Sequence, residues 1–403
     1  MKVVIINNDF KAYWRSRLIF LNQYLGDRNI DFRAVELFGK GSPYAFDIAN
    51  NTLPWWQCIF PDHGPLELDK YQIKEGVDRI LNQLQPDVVI GSSIVFYPGA
   101  LGVAWAKRNR KKFIMFDDAK PSQFKRNIVV QGIKNLITAQ ADSLWLPSKT
   151  YDREWAFFKQ KGVNFFYGFN TIDNDFFGNA ATENKSGGTI ICVARLVPVK
   201  NIDSLLKAWQ KVQQHNSGYR LMIVGNGPQE EKLKQLSHNL GLITVDFVDA
   251  VNNYQLPAYL SRCDAFILPS LSETWGLVVN EAMAAGLPVL LSRTINAADD
   301  LLQTGINGYG FNPQDVDEIS QVIIQFIDTD RQRKASMGKA SLEIIAKFTF
   351  DKMGEQLANH LNWLAVQPPK IPGPIAVAAM KLWYGRYNTG VWDHVDKSNA
   401  KNL

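Results

Sequence analysis

The chain has 403 residues, room for two to three domains at about 150 residues each, and its 46% hydrophobic and 21% charged content supplies large cores and excludes wholesale disorder. Its 44 basic and 39 acidic residues leave a formal charge of +5, which argues against a nucleic-acid binder but leaves room for a local basic site facing phosphates. Cys58, Cys192 and Cys263 are far apart in apolar surroundings, which excludes a disulfide scaffold or a cysteine zinc site and fits a reducing compartment. No run approaches the ~18 apolar residues of a spanning helix. The apolar stretch before Asn7 is too short for a signal-peptide core, so a soluble, cytosolic chain is expected.

In chain order, Lys2–Asn7 is a β-branched run that reads as a buried parallel strand, and Leu18, Leu21 and Leu25 mark an amphipathic helix behind it. Strands are expected at Phe32–Leu37, Val88–Ile90, Phe113–Phe116 and Leu144–Leu146, with helices at Val77–Leu84, from Ala100, and at Ile128–Ala139. That alternation predicts βαβ units and a doubly wound sheet. The polar stretch Asn179–Gly188 interrupts it as a linker. Beyond it the pattern restarts, with strands at Thr189–Ala194, Leu221–Val224, Val245–Val248, Ala265–Leu268 and Val289–Leu291 and helices at Ile202–Gln214 and Glu230–Leu240.

The expected division is therefore a first domain over residues 1–178, a linker over 179–188, and a second domain over 189–348. A C-terminal helix and tail, 349–403, follow and are expected to pack back on the first domain, with helical patterns over Gln332–Phe348 and Lys352–Val366 bracketing that last boundary. Pro368, Pro369, Pro372 and Pro374 break the tail before the apolar, aromatic run Ala376–Tyr384. That run either packs on the protein or meets a membrane surface or another subunit; oligomeric state stays open.

The second half holds the residues with chemistry to offer. Arg195 and Lys200 lie between a strand and the next helix, where ligands of doubly wound sheets sit, and two cations there suit a diphosphate. Gly225-Asn226-Gly227-Pro228 permits a sharp turn or close approach to a ligand. It is not the G-x-G-x-x-G fingerprint, which makes a nicotinamide or flavin oxidoreductase a poor candidate. Glu273 lies in the next strand-to-helix connection and Glu281 inside the helix beginning near Trp275–Gly276. A carboxylate in each place can accept hydrogen bonds from ligand hydroxyls, the inner one from a diol such as ribose. The amides of Trp275, Gly276 and Leu277 face any anion at that helix start.

These segments resemble the retaining GT-B glycosyltransferases of glycosyltransferase family four. VARLVPVKN is similar to the family's strand-turn-helix with its phosphate-binding Arg and Lys, VGNGP to its glycine turn, and PSLSETWGLVVNEAMAAGLPV to its E-x7-E segment. TGINGYGF resembles its closing strand, YGFNTIDNDFF its interdomain segment, and QPDVVIGSS a strand of its first domain. The resemblance implies an α/β GT-B fold: two doubly wound, Rossmann-like domains facing across a cleft. It also implies transfer of a hexosyl group from a UDP- or GDP-sugar to a saccharide or lipid-linked acceptor with retention, in surface polysaccharide or glycolipid assembly, in the cytoplasm or at the inner face of the membrane.

Carried onto this chain, Arg195 and Lys200 would neutralise the diphosphate, Glu273 would contact sugar hydroxyls, and Glu281 would hold the ribose. Gly227, Trp275, Gly276 and Leu277 would line the donor, with the base against backbone near Val248–Asp249. No cofactor beyond the substrate is implied. A non-catalytic sugar-nucleotide binder and a GT-B-like epimerase remain the alternatives.

The first half matches less well. Its first strand ends in Asn7-Asn8-Asp9-Phe10 without the family's glycines, and Arg15 and Arg17 read as surface arginines or as acceptor contacts. Asp117-Asp118-Ala119-Lys120 stands where relatives carry His, so Asp117 or Asp118 is the candidate for a sugar-hydroxyl contact, against a plain strand-end cap. His63, His215, His238, His360 and His394 form no ligand cluster. Asp173-Asn174-Asp175, Asp315-Val316-Asp317 and Asp328-Thr329-Asp330 mimic a metal-binding D-x-D but read as loop chemistry, so no metal is expected.

Overall fold

The computed structural model describes residues 1–11, 13–41, 53–124, 127–179, 187–216 and 218–387. Among the described residues the chain forms two compact units, Met1–Asn170 with Phe350–Tyr387, and Thr171–Thr349.

The first unit runs β1 (Lys2–Asn7), α1 (Tyr13–Gly26), β2 (Asp31–Phe38), β3 (Trp56–Phe60), α2 (Lys70–Leu84), β4 (Val88–Gly91), α3 (Tyr97–Arg108), β5 (Lys112–Phe116), α4 (Ile128–Thr138), β6 (Ser143–Leu146), α5 (Asp152–Gln160) and β7 (Asn164–Tyr167). Its strands form one parallel sheet in the order β3-β2-β1-β4-β5-β6-β7. Helices cover both faces of such a sheet, which is why Val3, Val4, Ile5 and Ile6 are all fully buried without alternation. Sequence periodicity does not announce β3, α5 or β7. The two strands are the sheet's edges, and their WQCIF and NFFY runs lack the aliphatic signature of a central strand.

The second unit runs α6 (Asn174–Gly178), β8 (Thr189–Val193), α7 (Ile202–His215), β9 (Arg220–Val224), α8 (Glu230–Asn239), β10 (Val245–Val248), α9 (Leu256–Leu260), β11 (Ala265–Leu268), α10 (Leu277–Ala284), β12 (Val289–Ser292), α11 (Ala298–Leu301), β13 (Gly308–Phe311), α12 (Val316–Asp328) and α13 (Arg331–Ile345). Its parallel sheet has the order β10-β9-β8-β11-β12-β13. The helical spacing of Ile202, Leu205, Leu206, Trp209 and Val212 is the buried face of α7 in this unit's core.

The passage between units falls at Asn170–Thr171 rather than at residue 178, because α6 packs on α10. Asn174 Nδ2 also donates to the carbonyls of Ile345 and Phe348, each at 3.1 Å, tying α6 to the end of α13. Most of the linker expected over 179–188 lies outside the described residues.

After Phe350 the chain rejoins the first unit as α14 (Phe350–Ala365) and α15 (Pro374–Leu382). Met353, Leu357, Leu361 and Leu364 enter that unit's core. Gly354 lies so close to Phe20 and Tyr24 that a Cβ there would sit 2.8 Å from the Tyr24 ring. His360 stacks on Phe166 with centroids 3.9 Å apart and pairs with Ser143 Oγ at 2.7 Å; burial lowers its pKa to about 4. Asp142, buried in a 2.5 Å pair with Lys107, also accepts from the Lys370 amide at 3.0 Å, which fastens the proline-rich stretch before α15.

Candidate functional site

In the second sheet the chain runs outward in both directions from β8, so the order reverses between β8 and β11. Loops leaving neighbouring strands on opposite sides part at such a reversal and open a crevice at the carboxyl ends. Arg195 and Lys200 follow β8; Glu273 follows β11, and Glu281 lies one turn into α10. The topology therefore delivers the expected cations and carboxylates to one strand end.

Lys200 and Glu273 meet directly, Nζ pairing with Oε1, and Ser270 Oγ donates to the same oxygen at 2.7 Å. Both charged side chains keep limited exposure, 17% for Lys200 and 13% for Glu273, so a polar ligand can reach the pair. Below them Cys192 is buried; desolvation, helped by Glu273 and opposed by Lys200, pushes its thiol up to about 12. It is an inert floor rather than a nucleophile.

Three devices hold the loops in register. The Leu271 amide donates to the Val199 carbonyl at 2.8 Å, and Val197, Val199 and Leu271 form their own small apolar cluster. Asn201, buried and left-handed at φ 57°, donates from Nδ2 to the carbonyls of Pro269 and Pro313 at 3.1 and 2.7 Å. Gly225 and Gly227 turn against the arginine loop: a Cβ would sit 2.0 Å from the Ala194 carbonyl oxygen in the first case and 2.6 Å from that of Leu196 in the second. Only glycine permits that approach.

Gly276 caps α10 at φ 99°, with half-buried Leu277 as the first helical residue. Trp275 is buried and its indole donates to Asn280 Oδ1 at 2.9 Å, so what it offers a ligand is main chain, not the ring. Glu281 is only 1% exposed. The Val248 carbonyl accepts from the Gly225 amide at 2.9 Å, so that oxygen is committed to the sheet end.

A family model described as glycosyl transferases group 1 matches residues 173–343. That segment is similar to a group 1 glycosyl transferase domain. A GDP-mannose-dependent alpha-(1-6)-phosphatidylinositol monomannoside mannosyltransferase of Mycobacterium tuberculosis is 32% identical over 183 residues, 43% of this chain and 47% of that protein. The chain spans about half the length of the curated relatives it matches. Among solved structures, a sucrose-phosphate synthase from Thermosynechococcus elongatus superposes with TM-score 0.71 at 17% identity, covering 90% of this chain and 99% of that one. HepE of Anabaena, solved with UDP and glucose, does so with TM-score 0.70 at 18% identity, covering 90% and 100%. These likenesses are of fold, the two Rossmann-like units of GT-B.

Within the matched segment all three D-x-D lookalikes serve helices. Asp173 accepts from the Phe176 amide, Asp315 from those of Asp317 and Glu318, and Asp330 from that of Arg333, while Asp328 pairs with His215 at 3.0 Å. The contributors that sequence reasoning missed are Ser270, Asn201 and Thr294, whose Oγ1 donates to the Ser270 carbonyl at 3.0 Å. Asn201 was detectable as an Asn directly before a helix; the other two carry no local signal.

In the first unit, Asp117 follows β5 and its Oδ1 accepts from the Ala119 amide at 3.0 Å, a tight turn at the strand end. Arg17 corrects the sequence reading: it is 1% exposed, not a surface arginine. It lies 5.2 Å from the Trp14 ring, and burial lowers its pKa to about 10 against the raising influence of Asp118. Arg15 is half-buried and His63 is exposed. No helix among the described residues is long and apolar enough to cross a membrane.

Proposed function

We propose that this chain is a retaining, metal-independent hexosyltransferase that takes a UDP- or GDP-sugar as donor and a saccharide or lipid-linked molecule as acceptor, working in surface polysaccharide or glycolipid assembly on the cytoplasmic side of a membrane. The observation that carries the reading is the Lys200–Glu273 pair at the reversal of the second sheet, with Arg195 in the loop that carries Lys200 and Glu281 in the helix after Glu273. The GDP-mannose dependence of the mycobacterial relative and the UDP and glucose in the HepE structure support the same ligand class.

The pair suggests how a donor engages. With no ligand, Glu273 neutralises Lys200; a diphosphate competes for that ammonium, and Glu273 becomes available to sugar hydroxyls. Glu281, buried in α10, accepts from the ribose diol. In the transfer, the bond between the anomeric carbon and the β-phosphate oxygen breaks. The acceptor oxygen bonds to that carbon on the same face, and its proton passes to the leaving phosphate. Asp117 orients an acceptor hydroxyl. Arg195 and Lys200 stabilise the charge growing on the diphosphate, the task a divalent cation performs in other transferases.

A thermal-shift panel of UDP-, GDP- and ADP-sugars tests the donor, because a selective ligand raises Tm through the folded state. One donor should stabilise the protein and be hydrolysed slowly without acceptor, with EDTA leaving the rate unchanged. Binding without any turnover would favour a sugar-nucleotide sensor. No shift with any donor would overturn the proposal.

A further inference from the structure

A groove runs along the outer edge of the first unit's sheet, between β3 and α2. Among the described residues it is lined by Gln57, Cys58 and Ile59 of the strand and by Arg79, Ile80 and Gln83 of the helix, and it holds 350 Å³, the size of a small-molecule site. The strand β2 separates it from β1 and from the reversal of that sheet between β1 and β4. None of the residues assigned to donor or acceptor lines it.

The groove follows from the two faces that α2 turns toward the sheet. Ile73, Val77, Leu81 and Leu84 are buried beneath the helix. Gly76, Arg79, Ile80 and Gln83, at helical spacing, overhang the edge strand. At Gly76 helix and strand touch: a Cβ there would sit 2.5 Å from the Phe60 ring and 2.8 Å from Ile59. Past that contact the helix continues over the strand toward Gln57, and the space between them stays open.

Its lining is chemically unbalanced. Gln57 Oε1 is buried and accepts no hydrogen bond, a costly state until a donor arrives. Arg79 makes no ion pair, and no carboxylate lines the groove among the described residues. The adjacent acid, Asp78, is already engaged by Lys74 at 2.6 Å and by Arg108 at 2.8 Å. Ile59 and Ile80 are half-buried apolar walls. Burial, reinforced by Glu36, pushes the Cys58 thiol up to about 12, so it lines the groove as a neutral group. An acceptor waiting for a donor, a cation without a counter-charge and apolar walls between them describe one kind of ligand.

We infer that this groove binds a small monocarboxylic acid with an apolar body and one O–H or N–H donor. The carboxylate meets Arg79, the body lies against Ile59 and Ile80, and the donor reaches Gln57 Oε1. The inference goes beyond the transferase reading and does not depend on it.

The test is saturation-transfer difference NMR on the full chain, titrated with 4-hydroxyphenylacetate, phenylacetate and tyramine, which share a ring and differ in donor and charge. The wild type should bind 4-hydroxyphenylacetate in the millimolar range or below. Phenylacetate, without the hydroxyl, should bind about tenfold more weakly, and tyramine, with an ammonium in place of the carboxylate, should give no saturable signal. Arg79→Gln should weaken 4-hydroxyphenylacetate about tenfold. Gln57→Leu should erase its advantage over phenylacetate. Arg79 is exposed, so Arg79→Gln keeps the test decisive even if Gln57→Leu does not fold. Equal binding of the three probes, no saturable signal from the wild type, or an Arg79→Gln variant that binds like wild type would overturn the inference. So would a folded Gln57→Leu variant that keeps the preference, or displacement of the acid by UDP or GDP, which would put it in a nucleotide site instead.

Discussion

At the reversal of the second sheet, the ends of β8 and β11 carry Arg195, Lys200 and Glu273, all from two short stretches of chain. At the corresponding ends in the first unit the furnishing is aromatic and dispersed. Phe10, Trp14, Phe116 and Phe169 pack ring against ring, Arg17 is buried under Trp14, and a pocket beyond β4 and β5 draws on four separate segments. The same topology therefore frames a compact cluster of charges in one unit and a dispersed, aromatic lining in the other.

Substitutions can break that contrast, beginning with the largest effect. Arg195→Ala or Lys200→Ala should cut turnover about 100- to 1000-fold with little change in Tm, as for loss of a donor to a developing anion. Steady-state rates of the double variant within tenfold of wild type would remove these cations from the site. Gly225→Ala should destabilise the second unit by about 2–4 kcal/mol, since its Cβ would overlap the Ala194 carbonyl oxygen; denaturant unfolding reads this directly. Glu281→Gln should lower nucleotide affinity about 10- to 100-fold by calorimetry while leaving the fold intact. An unchanged affinity would make Glu281 a purely structural carboxylate.

The smallest effect belongs to the first unit. His360 has a folded pKa of about 4 against an ordinary 6.5, so below pH 6.5 the unfolded chain binds the proton first. Stability from this group is complete above that value and is lost progressively as pH falls toward 4, by about 2 kcal/mol at pH 5. His360→Gln should flatten the acid limb of a Tm–pH profile, and a profile of unchanged slope would show that the ring is not held neutral.

The proposed donor side was legible because its charged residues are local. Arg195 and Lys200 bracket one turn, Glu273 and Glu281 another, and the aliphatic runs of β8 and β11 announce that both turns open at the same edge of a sheet. The first unit was legible in its central strands and not in its site. Arg17 looks like any exposed helical arginine, and nothing in the letters around Trp155 shows that its indole nitrogen is buried. The edge strands β3 and β7 were invisible for a related reason: half-covered strands do not carry the aliphatic pattern that a doubly covered strand requires.

By itself, the sequence determined the alternation of strands and helices, the two sheets, and the charged residues at the reversal of the second, because periodicity and loop chemistry are properties of neighbouring residues. Tertiary structure alone decided that Lys200 meets Glu273, that Asn201 and Ser270 brace the pair, and that Lys134 and Trp155 share a pocket. Those facts depend on which distant segments come to lie side by side once the sheets are wound, and packing settles that only when the whole chain folds.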